Sequence, residues 1–255
     1  MLKLTPSRIR EYQACPFQYR LKYVDGFTSA APAASPALSF GNSLHAALEA
    51  LHQYGSTRVT AEDIPALLRK HWKGEGYASP EQEAEQFALG VVSLEKYVAA
   101  FGSVPGAILG LEIFLSRNIA QGELRFELVC RADRVELLPD GRLEVLDYKT
   151  NADGQLPSPE SLTADIATFV YYILARISYP QYPQVIVSQL NVLSLTKVCV
   201  EYTDAQRTEN KAGLLTLVQN IKANHFEPRP GVYCRWCSVR EHCPAVNVIV
   251  ALESL

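Results

Sequence analysis

A chain of 255 residues, 48% hydrophobic and 20% charged, has an ordinary globular composition and enough length to bury one large core. Its formal net charge of −3 provides no global attraction for a polyanion, so a nucleic-acid partner would have to meet a local basic patch. No apolar run reaches the roughly 18 residues of a membrane span and the start MLKLTPSRIREYQ lacks a secretory core, which predicts a cytoplasmic protein with no membrane contact, whose six cysteines serve as buried thiols or metal ligands rather than disulfides.

Thr5-Pro6-Ser7 predicts a helix start, with Thr5 as cap and Pro6 in the first turn, where its missing N–H is harmless. Ile9, Tyr12 and Leu21 give this stretch an apolar face that breaks at Cys15-Pro16, so two short helices are expected. Residues 25–39, rich in Ala, Pro and Ser, read as a mobile loop. Leu44, Ala47, Leu48 and Leu51 return to helical spacing over residues 40–54, and another helix is expected from Thr60 to about Trp72. Ser79-Pro80-Glu81-Gln82 has the form of a capping box and opens a long helix to about Phe101. Residues 40–105 are thus expected to be a helical part.

Residues 109–116 read as a strand, and residues 126–150 (FELVCRADRVELLPDGRLEVLDYKT) as a hairpin turning at Pro139-Asp140-Gly141. Residues 163–177 predict an apolar helix packed on the sheet, residues 184–195 and 198–202 two more strands, and Thr203-Asp204 the cap of a last helix to about Asn224. Strands mixed with helices give an α/β class: one domain over residues 1–255, with a mixed central sheet over 109–202 flanked by helices and a helical N-terminal insertion.

In the hairpin the three-residue turn pairs Leu138 with Arg142, and that register places Asp133 opposite Asp147. Facing carboxylates repel, so a cation is expected between them. Lys149, two residues past Asp147, projects from the same face, and a hard divalent ion would supply the remaining charge while keeping positions for phosphate and water. The pattern suits metal-dependent phosphoryl chemistry. Basic residues near it, Arg117, Arg125, Arg131 and Arg134, together with Arg8, Arg10, Arg20 and Lys22 at the start and Arg229, Arg235 and Arg240 near the end, are the candidate contacts for a polyanion.

After the last helix, Cys234-x-x-Cys237 and Cys243 lie on a Pro- and Gly-containing loop of metal-wrapping character. Cys15, which like Cys243 precedes a Pro and lies in a helix break, is the best fourth ligand; spacing leaves zinc and an iron–sulfur cluster both open. Either would staple the first helix to this C-terminal cysteine-rich loop, Cys15 to residues 234–243. Cys130 and Cys199 fall in predicted strands and are expected to be buried small apolar residues.

These parts together resemble the PD-(D/E)XK nucleases of the RecB-like branch, especially AddB-type and CRISPR-associated members with a four-cysteine iron–sulfur cluster. The resemblance runs in order through LTPSRIREYQACPFQYRLKY, GNSLHAALE, CRADRV, LDYKT, an apolar helix ending in Tyr, and CRWCSVREHC. It implies a restriction-endonuclease-like fold and a Mg²⁺- or Mn²⁺-dependent deoxyribonuclease, exonuclease rather than endonuclease, acting on single-stranded DNA or DNA ends in repair or recombination. It further implies that Asp133, Asp147, His45 and the main-chain carbonyl of Tyr148 hold the ion, that Lys149 serves the attacking water and the phosphate, and that Cys15, Cys234, Cys237 and Cys243 hold a [4Fe–4S] cluster. Glu112 and Tyr172 are possible auxiliaries. The chain departs from the family where Cys130 replaces a Gly three residues before the first Asp, and where Thr168 replaces the Gln of a Gln-x-x-x-Tyr helix. The competing expectation is a non-catalytic DNA-binding or assembly module that keeps the fold. No phosphate-cradling Gly-rich loop of a helicase is present, so unwinding would need a separate helicase or recombination partner.

Overall fold

A computed structural model describes residues 1–27, 35–53, 59–101 and 106–245. Its elements are β1 (Leu2–Leu4), α1 (Pro6–Ala14), α2 (Pro16–Tyr23), α3 (Pro36–Gln53), α4 (Ile64–His71), α5 (Pro80–Phe101), β2 (Ala107–Gln121), β3 (Leu124–Leu137), β4 (Leu143–Lys149), α6 (Pro159–Ala164), α7 (Ile166–Ser178), β5 (Val185–Asn191), β6 (Lys197–Val200) and α8 (Asp204–Lys222). Thr5 caps α1 as expected, its Oγ1 accepting from the Arg8 amide at 3.2 Å, and extended Cys15 separates α1 from α2.

The sheet runs β1-β3-β4-β5-β6, with β2 on the other edge of β3. It is mixed: β2–β3, β3–β4 and β5–β6 are antiparallel, whereas β1–β3 and β4–β5 are parallel. The β3–β4 register follows the expected pairing from Leu137↔Leu143 to Arg134↔Leu146, and Gly141 closes the turn with φ of +86°. Side-chain alternation divides the two faces. Leu146, Tyr148, Leu190 and Val192 join one core with α3, α4 and α5, while Leu143, Val145, Val185 and Val187 join another with α6 and α7. A third core joins α1, α2, α7 and α8 to β1 and the first half of β3. The early helices are therefore one of the sheet's two flanking layers, not an appendage to it. Among the described residues no helix is long and apolar enough to cross a membrane.

Several expectations need correction. The helix α3 begins at Pro36, inside the expected loop, and residues 28–34 of that loop lie outside the described residues. Strand β2, expected over residues 109–116, covers Ala107–Gln121 and turns at Gly122 (φ +56°) straight into β3, so residues 117–125, left unassigned from sequence, form the outer half of a long hairpin. The helix expected over residues 163–177 breaks at Asp165, whose carboxylate accepts from the Ala167 and Thr168 amides and caps α7. Strand β1, too short to show a period, was not expected at all. Cys130 is buried, but Cys199 is exposed because β6 is the sheet's edge and Cys199 faces an open cavity.

A buried polar network ties α3 and α5 to the sheet. Arg134 Nη1 donates to the Tyr97 hydroxyl at 2.9 Å and lies 3.0 Å from His52 Nε2; the Tyr97 and Tyr148 hydroxyls are 2.8 Å apart. Glu136 Oε2 lies 2.9 Å from Arg134 Nε, an ion contact whose N–H is not aimed along the bond. Burial, and then the charge of Arg134, lower the His52 pKa to about 3, so the ring is neutral in the folded protein. Because the unfolded chain binds a proton near pH 6.5 that the folded chain rejects, this contribution to stability is complete above that pH and falls away as pH drops toward 3. Between about pH 7.5 and about pH 5 the His52 term should remove ~2 kcal/mol. His52→Gln should be less pH-sensitive by that amount in urea denaturation, and equal slopes for the two proteins would exclude the assignment.

Candidate active site

The β3–β4 ladder ends at Arg134↔Leu146. Just past it the strands part, and the Asp133 carboxylate fills the gap by accepting from the Tyr148 amide at 2.6 Å. On the other side of β3 the register brings Glu112 opposite Asp133, between Leu111↔Arg134 and Ile113↔Ala132, and Glu112 adopts a left-handed φ of +47°. A non-glycine residue held there in mid-strand is strained, of the order of 1–3 kcal/mol, and such strain persists only where surrounding contacts impose it. Helix α3 completes the group. His45 Nδ1 lies 3.3 Å from Asp133 Oδ1 and 3.9 Å from Glu112 Oε1, and ligand atoms of His45, Glu112 and Asp133 all come within 4.8 Å of one another. They line a cavity of about 480 Å³ with Arg131, Lys73 and Thr150, and Arg131 Nε meets Glu112 Oε2 at 2.5 Å.

Asp147 connects to a second cavity through its partners Lys149 and Gln189. It is buried, its Oδ2 lies 2.5 Å from Lys149 Nζ, and the Gln189 amide, from the adjacent position on β5, approaches the same oxygen at 3.4 Å. Lys149 and Gln189 line the second cavity, of about 430 Å³, with Arg10 and Asp165. Burial pushes the Asp147 carboxyl up first; Lys149 opposes this, and the charge of Asp133 adds to it. Glu112 is likewise raised, by burial and then by Asp133, against the pull of Arg131 and His45. For His45 burial works downward, but the hydrogen bond and charge of Asp133, then Asp147 and Glu112, outweigh it and raise the pKa. Three carboxylates crowded to the point of mutual repulsion, beside an imidazole, are the donor set of an oxygen-seeking divalent cation. The residues fit such an ion: His45, Glu112 and Asp133 directly, with Asp147 beside them.

Sequence reasoning named His45, Asp133, Asp147 and Lys149, and the structure gathers all four here. Glu112, an auxiliary from sequence, belongs to the compact ligand group. Tyr172 does not join them. It packs in the core, its ring 4.8 Å from Tyr202 and 5.6 Å from Phe169, while the neighbouring Tyr171 is raised by burial and then by the charge of Asp147. Thr168 Oγ1 donates to Asp165 Oδ2, and Arg10 Nη2 reaches the same carboxylate at 2.7 Å and Thr168 Oγ1 at 3.5 Å. Arg10, noted from sequence only as part of a basic patch, and Gln189, not noted at all, both line the cavity that holds Lys149. Gln189 carried a partial signal: with Ser188 and Asn191 it is one of three polar residues in the buried strand VIVSQLN.

The four expected thiols converge on one cavity, lined by Cys15, Cys234, Cys237 and Cys243. Burial raises the Cys237 thiol, the Val239 amide opposes this, and Cys15, Cys234 and Cys243 each add to the rise. Four cysteine sulfurs gathered on one cavity are the donor set of a soft metal centre. Four sulfurs around a single zinc at 2.3 Å would stand about 3.8 Å apart.

A family model described as the PD-(D/E)XK nuclease superfamily matches residues 3–244. No curated protein matches the chain. Among solved structures, the crystal structure of SSO0001 aligns over 93% of this chain and 96% of its own at 14% identity, with a TM-score of 0.39, too distant to carry an argument.

Proposed function

Since the chain belongs to the PD-(D/E)XK nuclease superfamily, we propose that it is a Mg²⁺- or Mn²⁺-dependent deoxyribonuclease, acting on single-stranded DNA or DNA ends in cytoplasmic repair or recombination. The observation that carries this reading is the convergence of His45, Glu112, Asp133 and the Asp147–Lys149 pair where β3 and β4 part. When bound, a divalent ion would polarise the phosphodiester and lower the pKa of water. Asp133, Asp147, His45 and the Tyr148 carbonyl would hold it, with Glu112 as a further ligand. Lys149, one-third exposed, is free to turn from Asp147 toward the attacking water or a phosphate oxygen. Arg10 and Gln189 flank it in the same cavity and provide the cation and amide that Thr168 cannot.

Cys15, Cys234, Cys237 and Cys243, which line one cavity, would hold a [4Fe–4S] cluster, with structural zinc as the alternative. It would fasten the α1–α2 junction to the C-terminal loop. Unwinding of duplex DNA would fall to a separate helicase or recombination partner.

The test is cleavage of end-labelled single- and double-stranded DNA by anaerobically purified protein with Mg²⁺, Mn²⁺ or EDTA. Products that require the metal are expected, mononucleotides or short oligonucleotides marking an exonuclease. Binding without cleavage under every metal would replace this reading with that of a non-catalytic DNA-binding module.

A further inference from the structure

Phe114 is 71% exposed in the middle of β2. A lone exposed apolar side chain is ordinary, so the case rests on what surrounds it. Its cross-strand partner on β3 is Arg131, and the Arg131 guanidinium lies 5.6 Å from the Phe114 ring centroid. Arg131 lines the His45–Glu112–Asp133 cavity and is anchored by Glu112 at 2.5 Å. The same carboxylate thus belongs to the ligand group and fixes the cation over one face of the ring, leaving the exposed remainder of the ring to a base. Arg131 precedes Asp133 by two positions on β3, roughly 7 Å along the chain, and both line the same cavity. An aromatic face, a planar cation and a phosphate-chemistry site are therefore set in a row. Paired bases in a duplex are already stacked on their neighbours; an unpaired base has a free face for an aromatic ring, while the cation serves the adjoining phosphate.

We propose that Phe114 and Arg131 form a stacking step for one unpaired base of a single-stranded nucleic acid, belonging to a nucleotide next to the phosphate held at the Asp133–Asp147 site. This rests on the nuclease reading for the position of the phosphate, and it deepens that reading by naming the groups that select unpaired strands.

The experiment measures binding in EDTA, so that chemistry does not enter, using a labelled single-stranded oligonucleotide and a set of copies in which one abasic position is moved stepwise along the strand. With the wild-type chain, one position should cost roughly ten-fold in affinity when its base is missing. In Phe114→Ala the intact strand should bind roughly ten-fold more weakly and that position should fall silent, while Phe114→Trp should restore both. Phe114 is exposed, so these variants do not put the core at risk. A flat abasic profile in the wild type, or the same profile in Phe114→Ala, would overturn the proposal; either would leave the face to some other partner. The two readings fail separately. A position-specific profile in a protein that never cleaves removes the nuclease and keeps the stacking step, whereas metal-dependent cleavage with a flat profile does the reverse.

Discussion

Asp147→Asn should lower metal-dependent cleavage by roughly 10³-fold while leaving the thermal midpoint unchanged or higher. The two effects have one cause. Burial and the charge of Asp133 raise the Asp147 carboxyl above its ordinary range, which means that its ionised form is disfavoured in the folded protein. Asparagine keeps the shape and removes the charge, relieving that penalty. Lys149 loses its partner at 2.5 Å but is one-third exposed and can be hydrated. Activity, by contrast, needs the negative charge: without it the site holds a divalent ion less tightly, and Lys149 has no anion to set its position. Cleavage rates and calorimetry on the same preparations read both effects. Loss of activity with a collapse of the midpoint would mean a damaged fold. Retained cleavage would remove Asp147 from the site.

Strain at Glu112 has the same character. Its left-handed backbone, directly opposite Asp133, is a local cost that strand β2 accepts to bring a third carboxylate within reach of His45. This explains what could and could not be read from the sequence. The hairpin register was legible because Pro139, Asp140 and Gly141 dictate a turn length, and a turn length fixes every pair beyond it. What the register does not contain is the parting of the strands at Asp133, which depends on its side chain taking the Tyr148 amide in place of a main-chain partner. Glu112 was ambiguous for a similar reason, since its backbone departs from the strand geometry on which side-chain alternation relies. Arg10 and Gln189 reach the site from α1 and β5, at sequence distances where periodicity says nothing; only the register Asp147↔Gln189 and the packing of α1 beside α7 bring them there. Strand β1, with three residues, is specified by its parallel partner Phe126–Leu128 rather than by its own pattern.

The centre proposed at the four cysteines gives the second large effect. Anaerobically purified protein should contain about four iron and four sulfide per chain, and Cys237→Ser should lose both together with roughly 10 °C of thermal stability. The size follows from topology: Cys15 and Cys237 are far apart in sequence, so a centre joining them restrains a very long loop of the unfolded chain. Cys199→Ser, at an exposed residue on the sheet edge, is the matched control and should change neither value. Zinc in place of iron, with the same loss of stability, would keep the staple and change its metal; no metal and no shift would leave four free thiols. The consequence should also reach the cleavage site. Cys15 directly follows α1, and Arg10 lies on α1 with its guanidinium against Asp165 and Thr168 beside Lys149. Releasing the end of that helix frees the cation that occupies the space above Thr168. Cys237→Ser should therefore cleave more slowly even at temperatures where it remains folded, and Arg10→Ala should reproduce that slowing without loss of iron.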